Sequence, residues 1–259
     1  MLPQPGRCTM STHDLLILSA ILGAGAFVEA VAGFGGTILA LSLGARWFGI
    51  EELLAWFLPL NLGLSTALAL RGRSAVAGRL LARRILPTIV VGLAVGTALS
   101  WHIDAERARG LFAGLVIVVA VVELAASVRR SAATPVTTLR PAVQGGLLLG
   151  AGVVHGVFAT GGPLAVAVIG RMLPTKAALR ATLAVMWLVL NVIVSARLIA
   201  RGHLDDASLW ISLQLAPAMA LGMVAGDLVH RRVGEASFRK VVAVLLLATG
   251  LLLLQAATR

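Results

Sequence analysis

The sequence predicts an all-α polytopic membrane protein made of two inverted repeats, each opening with a glycine-broken helical hairpin followed by three transmembrane helices. Three observations carry that prediction. The residues are 59% hydrophobic and 13% charged, with a mean hydropathy of +0.96, where soluble domains are roughly one-quarter charged. Apolar runs near 14–48, 52–70, 84–101, 109–127, 142–173, 177–199, 207–229 and 236–255 mostly match the ~20 residues that cross a bilayer core. The chain also repeats itself: Asn61, Arg71, Gly72, Pro87, Gly92, Gly96 and Arg109 recur 130 residues later as Asn191, Arg201, Gly202, Pro217, Gly222, Gly226 and Arg239.

A second match lies earlier in each half, where Leu22-Gly23-Ala24-Gly25 leading to Gly35-Gly36 is echoed by Leu149-Gly150-Ala151-Gly152 leading to Gly161-Gly162, the glycine pairs standing 126 residues apart. The four residues by which the two offsets differ fall between the glycine pair and the Asn, about one helical turn. The repeats are therefore residues 14–128 and 142–255, after a polar segment 1–13 and on either side of a connector 129–141 marked by Pro135 and Pro141.

The first and fifth runs, 35 and 32 residues long, would make roughly 50 Å of continuous helix, so each is expected to fold back on itself. The reversals fall at Gly33-Phe34-Gly35-Gly36 and at Thr160-Gly161-Gly162-Pro163, since glycine tolerates the conformations a reversal needs and proline cannot continue a helix from within. The remaining runs supply three spans after each hairpin. Irregular backbone at membrane depth is tolerated only where it is buried in protein or lines a cavity. Interrupted segments at corresponding places in two halves are the best sequence pointer to a transporter's binding site.

Charge tests the hairpins independently, because Lys and Arg favour the cytoplasmic side. Counted as eight single crossings, the 22 basic residues divide 12 to 10 between the faces; with two hairpins returning to their starting side they divide 15 to 7. The rich face then holds Arg71 to Arg84, Arg129 to Arg140, Arg171 to Arg180 and Arg231 to Lys240. Trp47, Trp56, Trp101 and Trp210 fall toward the poor face as an interfacial belt, and both termini lie outside the cytoplasm. The hairpins change the parity of each half, which inverts one relative to the other.

The net charge of +11 is scattered among short loops, so it reads as topology signalling and no nucleic-acid partner is expected. Cys8 is the single cysteine, which excludes a disulfide framework, a thiol pair and a cysteine metal cluster. No removable signal peptide is expected, because cleavage inside the first apolar run would destroy the first repeat. No GxSxG, HExxH, P-loop or paired-carboxylate pattern stands in a supporting context, so neither an enzyme nor a cofactor or metal site is expected. No long polar stretch is available to bind nucleotide, which leaves secondary or channel-like transport.

The candidate substrate-binding residues are Gly35, Gly36, Thr37, Thr160, Gly161 and Gly162, with Asn61 and Asn191. A half-helix starting just after a glycine break presents unpaired N–H groups and the positive end of its dipole where little water competes, and so favours an anion. Thr37 and Thr160 add hydroxyl donors, and the two Asn amides both donate and accept. Close helix packing and interhelical hydrogen bonding are the alternative roles. Glu29 and His155 correspond at the 126-residue offset; ionisable at membrane depth, they are the candidates for a coupling proton. Glu123 and Asp227 have apolar or neutral counterparts, Leu253 and Thr97, and Asp227 reads as an ordinary helix-end acid beside His230 and Arg231. Arg71 and Arg201 close corresponding helices and could recruit anions, but read first as topology or snorkelling residues.

The glycine-broken first and fifth segments, the run Lys176-Ala177-Ala178-Leu179-Arg180-Ala181-Thr182 and the Asn-then-Arg-Gly helix ending together resemble the TauE/SafE family of membrane permeases, also called sulfite exporters, from about Asp14 to Leu254. The family's glycine-rich turn is seen as Gly33-Phe34-Gly35-Gly36 and Ala159-Thr160-Gly161-Gly162, each one glycine short. The resemblance implies a multi-pass protein of the inner membrane that moves a small anion such as sulfite, sulfoacetate or a short carboxylate. A secondary permease, with proton coupling as an addition, is the expectation; a passive anion channel and a non-transporting assembly subunit are the alternatives. Glu29 and His155 count against the last. Partners are then the anionic substrate and the bilayer, with a homo-oligomer left open.

Overall fold

A computed structural model describes residues 10–45, 47–100, 139–173 and 175–232, with isolated positions elsewhere. The runs near 109–127 and 236–255 lie almost wholly outside the described residues, as do Trp101, Glu123, Arg109 and Arg239.

The described residues form helices: α1 (Thr12–Ala32), α2 (Gly36–Gly44), α3 (Ile50–Arg71), α4 (Gly78–Leu99), α5 (Pro141–Phe158), α6 (Gly162–Met172), α7 (Lys176–Ala200) and α8 (Asp206–Arg232). Their starts are chemically marked. The Ser11 hydroxyl accepts the Asp14 N–H at 3.1 Å to cap α1, Thr175 does the same for Ala178 at 3.2 Å in α7, and Pro141 opens α5 where its missing N–H costs nothing. Asp205 accepts the Ser208 N–H at 2.8 Å ahead of α8, and that backbone bond holds its carboxyl below the usual carboxylate range. Near the start of α4 the backbone widens to a π-turn over Leu81–Ile85, the Leu86 N–H reaching back to Leu81 O because Pro87 has no N–H to give.

Six of these helices are long and apolar enough to cross a membrane: α1, α3, α4, α5, α7 and α8. The other two, α2 with 9 residues and α6 with 11, extend only about 13–17 Å, too little for a ~30 Å hydrocarbon core. Each glycine-broken run is thus a long arm and a short return arm.

The two halves exchange arms. Gly222 and Gly226 of α8 pack directly on the carbonyls of Gly23 and Phe27 in α1, and Gly92 and Gly96 of α4 pack on those of Leu149 and Val153 in α5, with no room for a Cβ at any of the four. The glycines in these contacts are related by the 130-residue offset and the carbonyls by 126, so the contact made in one place is repeated in the other. Backbone approach of this kind needs small residues, since the gain comes from close van der Waals packing. The contacts also fix the register of the long arms one residue away from the Leu-Gly-Ala-Gly match.

Two opposed faces follow from the helix ends. On one, Arg71 (end of α3), Arg180 (start of α7) and Arg231 (end of α8) surround Asp227. There Ala77 N–H also bonds to Thr182 Oγ1 at 3.0 Å. On the other, Arg201 and His203 meet Glu51, and Ser212 Oγ donates to Trp56 O at 2.9 Å. Because α1 runs alongside α8 in the same direction and Gly44 reaches Leu53, the α1–α2 hairpin leaves from and returns to the second face. The α5–α6 hairpin, whose long arm follows α4, leaves from and returns to the first.

Three expectations change. Asp227 is no ordinary helix-end acid: it is 5% exposed and sits among three arginines contributed by α3, α7 and its own helix. Trp56 is buried, edge-on to Phe48 at 5.3 Å, leaving Trp47 and Trp210 as the exposed tryptophans at that face among the described residues. Arg71 and Arg201, read as topology residues, each pair with a carboxylate in the other half.

Candidate functional site

Each break begins where a long arm ends in the left-handed backbone region. Gly33 closes α1 at φ 79 and Ala159 closes α5 at φ 54; Ala159 adopts there a conformation that costs a non-glycine residue about 1 kcal/mol. The next matching pair has diverged, since Gly35 stands at φ 97 whereas Gly161 is at φ −65. After the reversal Gly36 lies against Gly25 and the Glu29 carboxylate, and Gly161 lies against Ala151 and the Cβ of His155. Glu29 and His155 therefore stand at equivalent places, each one turn back along its long arm from the break.

The last-turn carbonyls of the long arms need partners, as helix C-termini leave four unpaired. One in each arm is met from α7: Arg180 Nη1 donates to Ala30 O at 2.9 Å and Arg197 Nη1 to Gly156 O at 2.6 Å. Ala30 and Gly156 correspond at the 126-residue offset, so a single helix holds both breaks by equivalent carbonyls. A cation at a helix C-terminus is also favoured by the dipole.

Between the breaks α3 and α7 cross at their repeat-related asparagines, and a continuous polar chain forms. His155 Nε2 is 3.1 Å from Asn191 Oδ1, Asn191 Nδ2 donates to Asn61 Oδ1 at 2.7 Å, and Asn61 Nδ2 is 2.8 Å from both carboxylate oxygens of Glu29. Gly161 N–H donates to His155 Nδ1 at 3.3 Å. With Asn191 Oδ1 as acceptor and Nδ1 taken by an N–H, the imidazole carries its proton on Nε2. Every donor in the chain then points toward Glu29. All four side chains are at most 4% exposed.

Trp187, one turn before Asn191, ties the breaks together: its Nε1 donates to Gly33 O at 2.8 Å and its ring stacks on His155 with centroids 5.4 Å apart. At the centre is a cavity of about 20 Å³, room for about one water molecule. Glu29, Gly35, Thr37, Asn61, His155, Thr160, Gly162 and Asn191 line it. Gly36 and Gly161 stand just behind, the first under Glu29 and the second bonded to His155. A Cβ on Gly162 would come within 3.2 Å of Phe34, so the Phe34 ring closes the gap between the breaks. The Thr160 hydroxyl, 4% exposed, lines the cavity with no hydrogen-bond partner among the described residues.

All ten candidate residues named from the sequence are thus gathered in one place. Phe34, Trp187, Arg180 and Arg197 were missed. Phe34 stood inside the glycine run and Trp187 on the same face of α7 as Asn191, four residues away, which is the signal that could have found it. Arg180 and Arg197 each lie in or at the edge of the apolar run 177–199, a signal of function at membrane depth, but their partners, backbone carbonyls distant in sequence, could not be read.

A family model described as sulfite exporter TauE/SafE matches residues 17–253. The probable inner membrane transporter protein TsaS of Comamonas testosteroni is 36% identical over 105 residues, which cover 40% of this chain and 44% of that protein; the match thus spans less than half of that relative. No solved structure matches the chain.

Proposed function

The chain belongs to the TauE/SafE sulfite exporter family and is a membrane transporter, and we propose that it is a secondary permease for a small anion, multi-pass in the inner membrane, with its two halves inverted. The substrate class is a sulfur-containing or short organic anion such as sulfite, sulfoacetate or a short carboxylate. It would be held between the glycine breaks, with a proton carried by the Glu29–His155 pair. The observation that supports this is the convergence of both breaks on one buried polar cavity, each break bringing the N-terminus of a short helix, α2 or α6, whose dipole favours negative charge.

Hairpins that return to opposite faces give each face its own movable wall. Separating α2 from α1 would open the cavity toward one face, and separating α6 from α5 toward the other, the arrangement alternating access requires. A cavity of about 20 Å³ with Phe34 packed against Gly162 is too small for an oxyanion, so binding must move the Phe34 ring off Gly162. A centre this narrow suits alternating access better than a continuous pore.

The test is uptake into proteoliposomes of sulfoacetate, sulfate and thiosulfate with and without an imposed pH gradient. Accumulation above the outside concentration, driven by the gradient, is expected. Flux that only runs downhill would make the protein a passive channel, and no flux for any small anion in the family's substrate class would reject the permease.

A further inference from the structure

The two breaks occupy equivalent places in the repeats but differ chemically, and the difference assigns them separate tasks. At the first break a negative charge is built in: the Glu29 carboxylate lies on Gly36 at the start of α2, where an incoming anion would otherwise sit. At the second break the equivalent side chain is His155, neutral in its Nε2–H form and bonded on both nitrogens, to Asn191 and to Gly161. A further proton on Nδ1 would break the Gly161 bond. The same break has a buried hydroxyl with no hydrogen-bond partner among the described residues, Thr160 Oγ1, beside the first amides of the eleven-residue helix α6. Pro163 has no N–H and the Gly161 N–H is given to His155 Nδ1, so the donors left there are the Thr160 hydroxyl and the first-turn N–H groups of Gly162 and Leu164, which an oxyanion would accept.

We infer that the second break, through Thr160 and the N-terminus of α6, is the half-site for the anion, and that Glu29 at the first break is the group that takes up a proton when the anion binds. This rests on the permease reading above. Both sites are walls of one cavity of about 20 Å³, so an anion at Thr160 and an ionised Glu29 would be like charges a few ångströms apart in a water-poor space. A proton from solvent on Glu29 removes that conflict; when the anion leaves, the proton leaves with it. The charged and titratable groups facing Glu29 leave it this role. The parts of α2 and α3 packed on it bring none, their nearest polar groups being Thr37, Asn61 and Ser65. His155 lies across the cavity in its locked form. Arg180 and Asp227 are bound to each other, and His230 Nδ1 is bonded to Val31 O at 2.8 Å. Arg197 is held at the far end of α7 on Gly156 O.

The experiment is calorimetric titration of the purified, detergent-solubilised full chain with sulfate, sulfoacetate and thiosulfate, strong-acid anions that do not themselves titrate near neutrality, in two buffers of different ionisation heat. The wild type is expected to take up about one proton per anion bound and to lose about tenfold in affinity per pH unit on the alkaline side. Glu29→Gln should bind with the wild type's acid-side affinity at every pH and take up no proton. Thr160→Val should weaken binding about tenfold or more, the loss of a hydrogen bond to a charged group, while keeping the pH slope, and should weaken it more than Thr37→Val at the first break does. Binding with no proton uptake, or equal losses at Thr37 and Thr160, would overturn the division of tasks and leave the permease standing. Binding of none of the three anions would overturn the permease reading and this inference together. Should Glu29→Gln fail to fold, the proton count of the wild type decides alone.

Discussion

Asp227 is where the structure departs furthest from what its sequence neighbourhood suggested, and its three arginines can be ranked by geometry. Arg180 Nη2 lies 2.9 Å from Asp227 Oδ1 with side chains 17% and 7% exposed. Arg71 is 3.8 Å away and 51% exposed, and Arg231 is 3.0 Å away but 69% exposed. Exposed pairs are worth about 0–1 kcal/mol, because solvent screens them and long side chains must be held still. Removing one partner of a buried pair costs about 3–5 kcal/mol, since the remaining charge is left uncompensated. Asp227→Asn keeps the shape and removes the charge, and is expected to destabilise the fold by about 3 kcal/mol, with most of that loss shared with Arg180. In a double-mutant cycle, the coupling of Asp227 with Arg180 should be on the order of 2 kcal/mol and those with Arg71 and Arg231 below about 0.5.

The measurement is equilibrium unfolding in mixed micelles of the singles and doubles, using Arg→Gln on the arginine side. An Arg71 coupling equal to or larger than that of Arg180 would refute the ranking by distance and burial. The pair also has a functional reading. Arg180 donates to Ala30 O and a Cβ on Gly33 would be 3.3 Å from its Cα, so Asp227 steadies the guanidinium that holds the end of α1 beside the first break. Loss of Asp227 is therefore expected to lower transport by more than its effect on folded protein yield explains.

The reciprocal glycine contacts predict matched sensitivities. Gly92→Ala and Gly222→Ala, whose Cβ atoms would meet the carbonyls of Leu149 and Gly23, should each cost about 1–3 kcal/mol through overpacking. Gly63→Ala in α3, with open space around it, should be neutral or stabilising by about 0.5–1 kcal/mol; unfolding in mixed micelles reads all three, and a harmless Gly222→Ala would break the link between the halves' packing. The second expectation is topological. Reporter tags placed after Arg73 and after Arg232 should both report the cytoplasmic side, because Arg71, Arg180 and Arg231 share one basic face, whereas opposite reports would end the inverted arrangement.

What was legible in the sequence was whatever a single residue or a local run determines. The glycine breaks were readable because few other residues permit a reversal there, and Asn61 and Asn191 because a polar side chain in an apolar run has few reasons to be present. Asp227 was misread because its visible neighbour was Arg231, four residues on, while Arg180 and Arg71 reach it only once α7 and α3 have been brought to the same face. The sequence offered two registers for the long arms, 126 residues from the glycine pairs and one residue more from Leu-Gly-Ala-Gly, and the structure keeps the first, which pairs Glu29 with His155. Leu-Gly-Ala-Gly aligns by composition, but the packing surface is set by which carbonyls the glycines of α4 and α8 touch.

The repeat itself divides scaffold from chemistry. Positions that preserve the duplication, Gly92 with Gly222 and Gly96 with Gly226, make equivalent contacts and build the frame. Positions that break it, Glu29 with His155 and Gly33 with Ala159, line or form the breaks. Asn61 and Asn191 show why the asymmetry matters. Two identical amides facing one another have no preferred direction, as either can donate to the other. A carboxylate beyond one of them and an Nε2–H imidazole beyond the other orient both, so that Asn191 donates to Asn61 and Asn61 to Glu29. On the proposed permease reading, the two unlike ends of this network are what an anion and a proton would use, and they stand where the copies have diverged, at Glu29 and His155.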